Sequence, residues 1–295
     1  MNYRYLCLPC FIFLFSISVK HVSAQDLRGV WNGYLTSDTS GVPIIDVDYL
    51  LNIKEQTQNI VRGRAYIYRN AYFIEGSLDF VALFENSQLK ITELRIVNSS
   101  IPKTFGDRYL CIKRLKLNYS KADTADFLKG HWQGNIESGE RCIPGGAILS
   151  RPRGHDAQNI PQEVLDDMLR DPEKITRFLG TRLSNPVTLT VKNRVVKIEL
   201  RDYLKEDHDT VTVYYNRRSV IKQLEIVKKP YLQNLRLDRT AELNEVILYA
   251  NNLGRIPPNT STLTIDDGFT RQAVNIESSL EVSAVIYLQY KDPNP

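Results

Sequence analysis

The stretch LRGVWNG at residues 27–33 recurs as LKGHWQG at residues 128–134. The residues that follow the two copies are dissimilar, so the recurrence does not indicate a tandem repeat of domains. Each copy sets a tryptophan between two glycines, and glycine in a strand allows a tight bend and the close approach of a neighbouring backbone. We therefore expect a β-barrel in which an early and a late strand meet at closure, with one tryptophan filling each end.

Residues 26 to about 152 read as successive short strands separated by turns. β-branched and aromatic residues dominate the runs, whereas Asn, Gly, Ser and Pro fill the connections. Eight runs at this spacing predict a closed antiparallel barrel, and a two-sheet sandwich is the alternative. The runs are residues 29–37, 48–55, 60–68, 72–80, 89–97, 109–119, 130–137 and 147–151.

The first predicted strand carries Gly29-Val30-Trp31. With this G-x-W motif and its strand count, the region resembles the lipocalin-like (calycin) barrels over about 125 residues. The resemblance implies a small barrel with a cavity that holds a ligand.

Residues 1–24 have the features of a secretory signal peptide. A basic residue, Arg4, precedes an apolar run at residues 6–19, and Val22-Ser23-Ala24 matches a small-x-small cleavage site. The apolar run is shorter than the ~20 residues of a membrane-spanning helix. A buried N-terminal strand and lipoprotein processing at Cys7 or Cys10 are the alternatives. The sequence predicts an exported protein with no membrane span, located in the periplasm, on the outer-membrane surface or outside the cell.

The composition of the 295 residues is that of an ordinary globular protein, with 42% hydrophobic and 24% charged residues. It excludes disordered and fibrous classes. The net charge of +4 falls to +2 once Arg4 and Lys20 leave with residues 1–24. Basic and acidic residues are interspersed, so the sequence predicts no nucleic-acid partner.

Two of the four cysteines, Cys111 and Cys142, lie beyond the predicted signal peptide. One pair in an oxidising compartment predicts a disulfide, which would contribute roughly 3–4 kcal/mol by closing a loop of about 30 residues. A reactive thiol or a metal site is the alternative, but neither cysteine has a His or a second Cys at ligand spacing.

Three regions follow the signal peptide: a barrel at 25–152, a helical linker at 153–185 and a β-sandwich at 186–295. Residues 161–169 predict one short helix in the linker. Residues 171–179 predict a second, with Asp171 as its N-cap, Phe178 and Leu179 on its apolar face, and Gly180 ending it. A functional lid is the alternative to a packed linker.

Residues 186–295 show cleaner one-sided alternation, which indicates an all-β, two-sheet sandwich. DHDTVTVYYN at 207–216 and NEVILYANNLGRIPPNT at 244–260 resemble a β-sandwich module of secreted proteins from Bacteroidetes-type bacteria. The resemblance implies an extracytoplasmic accessory or adhesion-like domain without an active site. Arg217 replaces the hairpin glycine of that module, so we expect the turn to depart from type I′.

Catalytic patterns are weak throughout the chain. His131, His155 and His208 lack metal-ligand spacing, and no nucleophile elbow, Walker or Rossmann glycine motif occurs. Asp166-Asp167 diverge on a helix, and Glu137 with Glu140 fit a solvated loop better than a glycosidase pair. The sequence therefore predicts a protein that is not an enzyme. A secreted hydrolase is the least favoured of the alternative hypotheses.

Aromatic residues and aspartates supply the candidate binding sites. Exposed aromatic rings could stack on sugars or line a barrel mouth, and filling of the core is the alternative. These residues are Trp31, Tyr66, Tyr68, Tyr72 and Trp132. A second set could bind Ca²⁺ through carboxylate oxygens, and ordinary turn chemistry is the alternative. These residues are Asp207, Asp209, Asp266 and Asp267.

Taken together, these patterns favour a non-enzymatic binding or accessory protein of the cell envelope, acting in adhesion, assembly or protein binding with a protein or glycan partner. The alternative is a lipocalin-like carrier of a small apolar or glycan ligand. An open barrel cavity above ~300 Å³ would favour the carrier.

Overall fold

The computed structural model describes residues 25–39, 42–69, 73–101, 110–153, 160–170 and 177–292. The predicted signal peptide, Tyr72, His155 and residues 171–176 of the second predicted helix lie outside these described residues. No helix among them is long and apolar enough to cross a membrane.

Eight antiparallel strands form a closed barrel, as the strand pattern predicted, and the sandwich alternative is wrong for this half. Closure pairs Asn32–Leu35 of the first strand with Ala147–Ser150 of the eighth. The strands are β1 Gly29–Thr39, β2 Val42–Thr57, β3 Ile60–Arg69, β4 Phe73–Glu85, β5 Gln88–Ser99, β6 Ile112–Lys121, β7 Ala125–Asn135 and β8 Gly145–Pro152.

Two glycines of the recurring motif, Gly33 and Gly130, lie where neighbouring strands of the barrel approach closely. A Cβ on Gly33 in β1 would lie 1.9 Å from the carbonyl oxygen of Ile148 in β8. A Cβ on Gly130 in β7 would lie 1.9 Å from the carbonyl oxygen of Lys116 in β6. Only glycine fits these two contacts. They occur at different places in the two copies, because Gly33 is the last residue of the first copy and Gly130 is the third residue of the second.

The two tryptophans lie toward opposite ends of the barrel. Trp31 donates its indole N–H to the carbonyl of Leu27 at 2.8 Å, and the Arg151 guanidinium lies 4.4 Å from its ring centroid. Trp132 donates to the carbonyl of Thr36 at 2.8 Å, near the end of β1. The end where β1, β3, β5 and β7 finish is called the open end below.

Two further sheets form the second half and are called the paired sheets. One has the order β14-β13-β16-β19-β10-β9, with β11 also pairing in parallel with β19, and the other has the order β15-β12-β17-β18. Apolar side chains from both sheets share one core. The strands are β9 Arg177–Phe178, β10 Thr181–Leu183, β11 Val187–Val191, β12 Val195–Arg201, β13 Thr210–Tyr215, β14 Arg218–Glu225, β15 Tyr231–Arg236, β16 Asn244–Ala250, β17 Asn259–Asp266, β18 Arg271–Ser278 and β19 Val282–Tyr290.

In the described part of the linker there is one helix, α1 Gln162–Arg170, close to the first helix predicted there. The second predicted helix is wrong at its described end, because Arg177 and Phe178 form β9 and Leu179 has a φ of 49°. Phe178 is fully buried with its ring centroid 4.7 Å from that of Tyr214. Its burial against the paired sheets outweighs the local preference for helix.

The barrel and the paired sheets bury a common apolar cluster. Its barrel members project outward from the strands β3, β4 and β5. Its other members come from strands of the paired sheets, β9 among them, and from Leu243 just before β16. The cluster consists of Ile60, Val81, Leu83, Leu94, Phe178, Leu243, Ile247, Val285 and Tyr287. Farther along the same outer face, α1 covers Tyr66 and Tyr68 through Val164. As a result, β3 is buried on both of its faces.

Candidate functional site

A cavity of about 660 Å³ opens at the open end of the barrel. Leu35, Val47, Ile67 and Trp132 form its apolar wall, because these positions face the barrel interior. Charged side chains complete the lining. These are Arg69, Glu75, Lys113, Glu140 and Arg141.

Glu93 on β5 and Lys113 on β6 carry opposite charges, and both side chains face the barrel interior. Glu93 is fully buried, and its carboxylate accepts hydrogen bonds from the Tyr49 hydroxyl at 2.7 Å and the Lys113 backbone N–H at 2.5 Å. The Lys113 ammonium lies 3.8 Å from the Glu93 carboxylate and donates to the carbonyl of Cys111 at 3.0 Å. It also lies 5.6 and 5.9 Å from the ring centroids of Tyr49 and Trp132, within cation–π range.

Burial, together with the neighbouring Glu93 carboxylate, raises the pKa of Tyr49 well above its ordinary value. The Tyr49 hydroxyl therefore stays protonated and keeps donating to Glu93 at neutral pH. This hydrogen bond and the Lys113 backbone N–H hold the carboxylate in place. The cavity thus combines an apolar wall with a fixed polar group and a buried cation that lines it.

The predicted disulfide between Cys111 and Cys142 is confirmed, and both residues line the cavity. It joins the residue before β6 to the connection between β7 and β8, with a Cα–Cα distance of 6.4 Å. At the rim, Arg69 forms an ion pair with the mostly buried Glu75. The wall of the cavity is therefore braced by one covalent and one ionic contact.

Of the predicted aromatic binding residues, Trp132 lines this cavity and Trp31 lies toward the other end of the barrel. Tyr66 and Tyr68 point outward, where Tyr66 donates to Asp167 at 2.9 Å and Tyr68 to Asn32 at 2.5 Å. The expectation that these tyrosines line the barrel mouth is therefore corrected. They fill an apolar cluster under α1, since the interior-facing positions of β3 are the alternate ones, Ile67 among them.

Lys113 and Glu93 were missed as site residues, although their positions carried a signal. Lys113 shares the strand parity of Leu115 and Leu117, and Glu93 shares that of Leu89 and Ile91. Charged residues at interior-facing positions of a barrel are unusual and tend to be functional or paired. Arg69 likewise has the strand parity of Ile67, which faces the barrel interior, so the same signal identifies Arg69 as a site residue.

The four aspartates predicted as a calcium site do not meet. Asp207 and Asp209 accept backbone N–H groups from residues 255–260, before and at the start of β17. Asp266 and Asp267 lie at the far end of β17 and accept N–H groups from residues 268–270, with Lys192 also donating to Asp267. In the part of the chain that the structure describes, no three His, Cys, Asp or Glu side chains form a metal-binding group.

The candidate catalytic residues are dispersed. His131, Glu137 and Glu140 are exposed, and His208 contacts Glu225 at the surface at 2.7 Å. Asp166 accepts a hydrogen bond from Gln162 while Asp167 accepts one from Tyr66, so this pair diverges as predicted.

No family model matches this chain, and a search of the curated proteins found no match to its sequence. The closed eight-stranded antiparallel barrel is compatible with a lipocalin-like barrel. Neither of the two resemblances gains further support from these comparisons.

Proposed function

We propose that this chain is a non-enzymatic binding protein whose barrel holds a small amphipathic molecule at its open end. The cavity of about 660 Å³ carries the proposal. Ligand pockets of ~300–1,000 Å³ are lined mostly by apolar side chains with a few fixed polar groups. This cavity falls in that size range and has an apolar wall with fixed polar groups, while polar atoms make up about half of its lining. The carrier hypothesis is therefore favoured over a purely structural accessory role, with an amphipathic ligand rather than a purely apolar one.

The lining indicates the chemistry of the ligand. Leu35, Val47 and Ile67 suit an apolar body, whereas Lys113 offers an ammonium group beside it. Arg69 and Arg141 add positive charge at the rim, next to Glu75 and Glu140. An apolar molecule that carries an anionic or hydrogen-bond-accepting group would match this arrangement.

Export is part of the same proposal. Residues 1–24 read as a signal peptide, and a disulfide persists in oxidising compartments such as the periplasm. A carrier in the cell envelope would keep its cavity braced by this bond.

A protein partner is a second candidate, supported by a groove on the outer face of the barrel. Tyr34, Ile45, His131 and Ile148 line it, and Ile45 is 64% exposed. Exposed apolar side chains grouped in this way are typical of interaction sites.

Two fluorescent probes test the carrier proposal: anionic anilinonaphthalene sulfonate and neutral N-phenylnaphthylamine. We expect both to bind the full chain and Ile67→Trp, which fills the cavity, to weaken both at least tenfold. Lys113→Met should weaken the anionic probe about tenfold while the neutral probe binds as before. Lys116→Met is the matched control, because Lys116 lies on β6 and is exposed on the outside.

Unchanged binding of both probes in Ile67→Trp would contradict the cavity as the site. Equal effects of Lys113→Met and Lys116→Met on the anionic probe would contradict the role of Lys113. Urea unfolding of each variant separates lost binding from lost structure.

A further inference from the structure

Two buried carboxylates converge at one end of the paired sheets. The Oδ1 atoms of Asp207 and Asp209 lie 2.5 and 2.6 Å from the point that a Cβ on Gly254 would occupy. Both aspartates are only 4% exposed. Neither Oδ1 atom has a hydrogen-bond partner among the described residues, whereas the Oδ2 atoms accept backbone N–H groups.

A third buried polar side chain, that of Asn259, lies at the start of the facing strand. Asn259 is 2% exposed, and within the described ranges neither its Oδ1 nor its Nδ2 has a partner. It shares the parity of the core residues Leu263 and Ile265, so it faces the space between the two sheets. The N–H of the next residue, Thr260, donates to Asp209 at 3.2 Å, which places Asn259 beside the carboxylates.

The strand parity of Asp209 indicates that its side chain faces the same space between the two sheets. Asp209 precedes β13 and has the parity of Val211 and Val213, both of which belong to the shared core. Asp202 follows β12 with the parity of Leu200 and is also buried. This end of the interior therefore contains three buried carboxyl groups, those of Asp202, Asp207 and Asp209.

We propose that Asp207, Asp209 and Asn259 bind a calcium ion between the two sheets. The donor set consists of oxygens alone, which suits a hard cation and disfavours zinc or copper. Two carboxylate oxygens that converge without a donor repel one another strongly in a buried setting. A divalent ion removes this repulsion, satisfies the unpartnered oxygens and links the segment just before β13 in one sheet to the start of β17 in the other. The site does not depend on the barrel cavity, so it stands whether or not the barrel carries a ligand.

Calorimetric titration with CaCl₂ and thermal unfolding test the proposal on the full chain after treatment with EGTA at pH 7.5. We expect calorimetry to detect heat of binding with a stoichiometry near one Ca²⁺ per chain. The melting temperature should be about 5 °C higher in saturating Ca²⁺ than in EGTA. Asp209→Asn and Asn259→Leu should each weaken Ca²⁺ binding at least tenfold. In EGTA, Asp209→Asn should melt above the unmodified protein, because it removes the repulsion.

Asp266→Asn is the matched control, since it changes an aspartate at the far end of β17 and should leave Ca²⁺ binding unchanged. Identical melting temperatures in Ca²⁺ and EGTA, without heat of binding, would overturn the proposal. The explanation for the close approach of the two carboxylate oxygens would then be a proton shared between them. Loss of binding in Asp266→Asn but not in Asp209→Asn would overturn it as well.

Discussion

Arg217 stands at a turn position that ordinarily favours glycine. Asn216 and Arg217 have φ values of 44° and 67°, and positive φ at both central residues is the requirement of a type I′ turn. The expectation that this turn departs from type I′ is therefore wrong. The Arg217 side chain explains why, because its guanidinium donates to Glu245 at 2.5 and 3.1 Å and lies 5.0 Å from the Phe178 ring centroid.

The first prediction concerns this residue. Arg217→Gly removes a backbone strain of roughly 1 kcal/mol but leaves Glu245, which is fully buried, without its cation. Breaking a buried ion pair costs ~3–5 kcal/mol, so we expect a net loss of roughly 2–4 kcal/mol in the free energy of unfolding. Urea unfolding measures the loss. Arg218→Gly serves as the exposed control, and a stabilised Arg217→Gly variant would contradict the argument.

At the scale of elements, the strand β3 organises the barrel half of the molecule. Its inward residues line the barrel interior, while its outward residues contact the paired sheets and α1. Arg62 donates to the Tyr287 hydroxyl at 3.0 Å, and Arg64 donates to Asp79 at 2.9 Å. Polar residues within this doubly buried strand are therefore paired, as burial of charge requires.

The second prediction concerns the connection between β7 and β8. Replacing both Cys111 and Cys142 by serine removes the bond that ties this connection to β6, and should lower the free energy of unfolding by roughly 3 kcal/mol. The same change loosens one wall of the cavity, so the neutral naphthylamine probe should bind severalfold more weakly. Urea unfolding and probe titration measure the two effects.

Dithiothreitol treatment of the unmodified protein should reproduce both effects of the double serine variant. Unaltered stability after complete reduction would contradict a structural role for the bond. Mass spectrometry of the purified protein with and without reductant tests whether the two thiols are joined.

At the scale of the whole molecule, the barrel and the paired sheets share an interface of mixed character. Its apolar centre includes Leu243, Ile247 and Tyr287, which are fully buried. Ion pairs surround this centre: Lys90 reaches Glu242 at 2.9 Å and Arg114 reaches Asp238 at 2.7 Å. Such an interface couples the stability of the two halves.

The third prediction follows from the position of both tryptophans in the barrel, where their fluorescence reports unfolding of that half. Leu243→Ala, on the paired-sheet side, should lower the midpoint of the tryptophan transition by an amount equivalent to ~2–5 kcal/mol. Circular dichroism should give the same midpoint. Leu232→Ala, at a residue that is 53% exposed, should leave both midpoints unchanged.

A fluorescence midpoint that stays fixed while the circular dichroism midpoint falls would show that the two halves unfold independently. In that case the interface would not couple the unfolding of the barrel to that of the paired sheets.

Local patterns in the sequence determined the strands, the closed barrel and the cysteine pair. Runs of β-branched and aromatic residues between turn residues indicated eight barrel strands, and the glycines of the recurring motif indicated a close backbone approach. The same patterns could not assign Tyr66 and Tyr68 to the outer face, because one residue of register reverses every side chain of a strand.

Only the tertiary structure decided what lies against each face. Because Phe178 is buried against the paired sheets, residues 177–178 form β9 where the sequence predicted the end of a helix. The outer face of β3 is also buried, because it packs against α1 and β19. The tertiary fold also separated the four aspartates into two pairs and brought Lys113 to Glu93 inside the barrel. These outcomes depend on contacts between residues distant along the chain, whose free energies exceed local propensities and leave no periodic signal in the sequence.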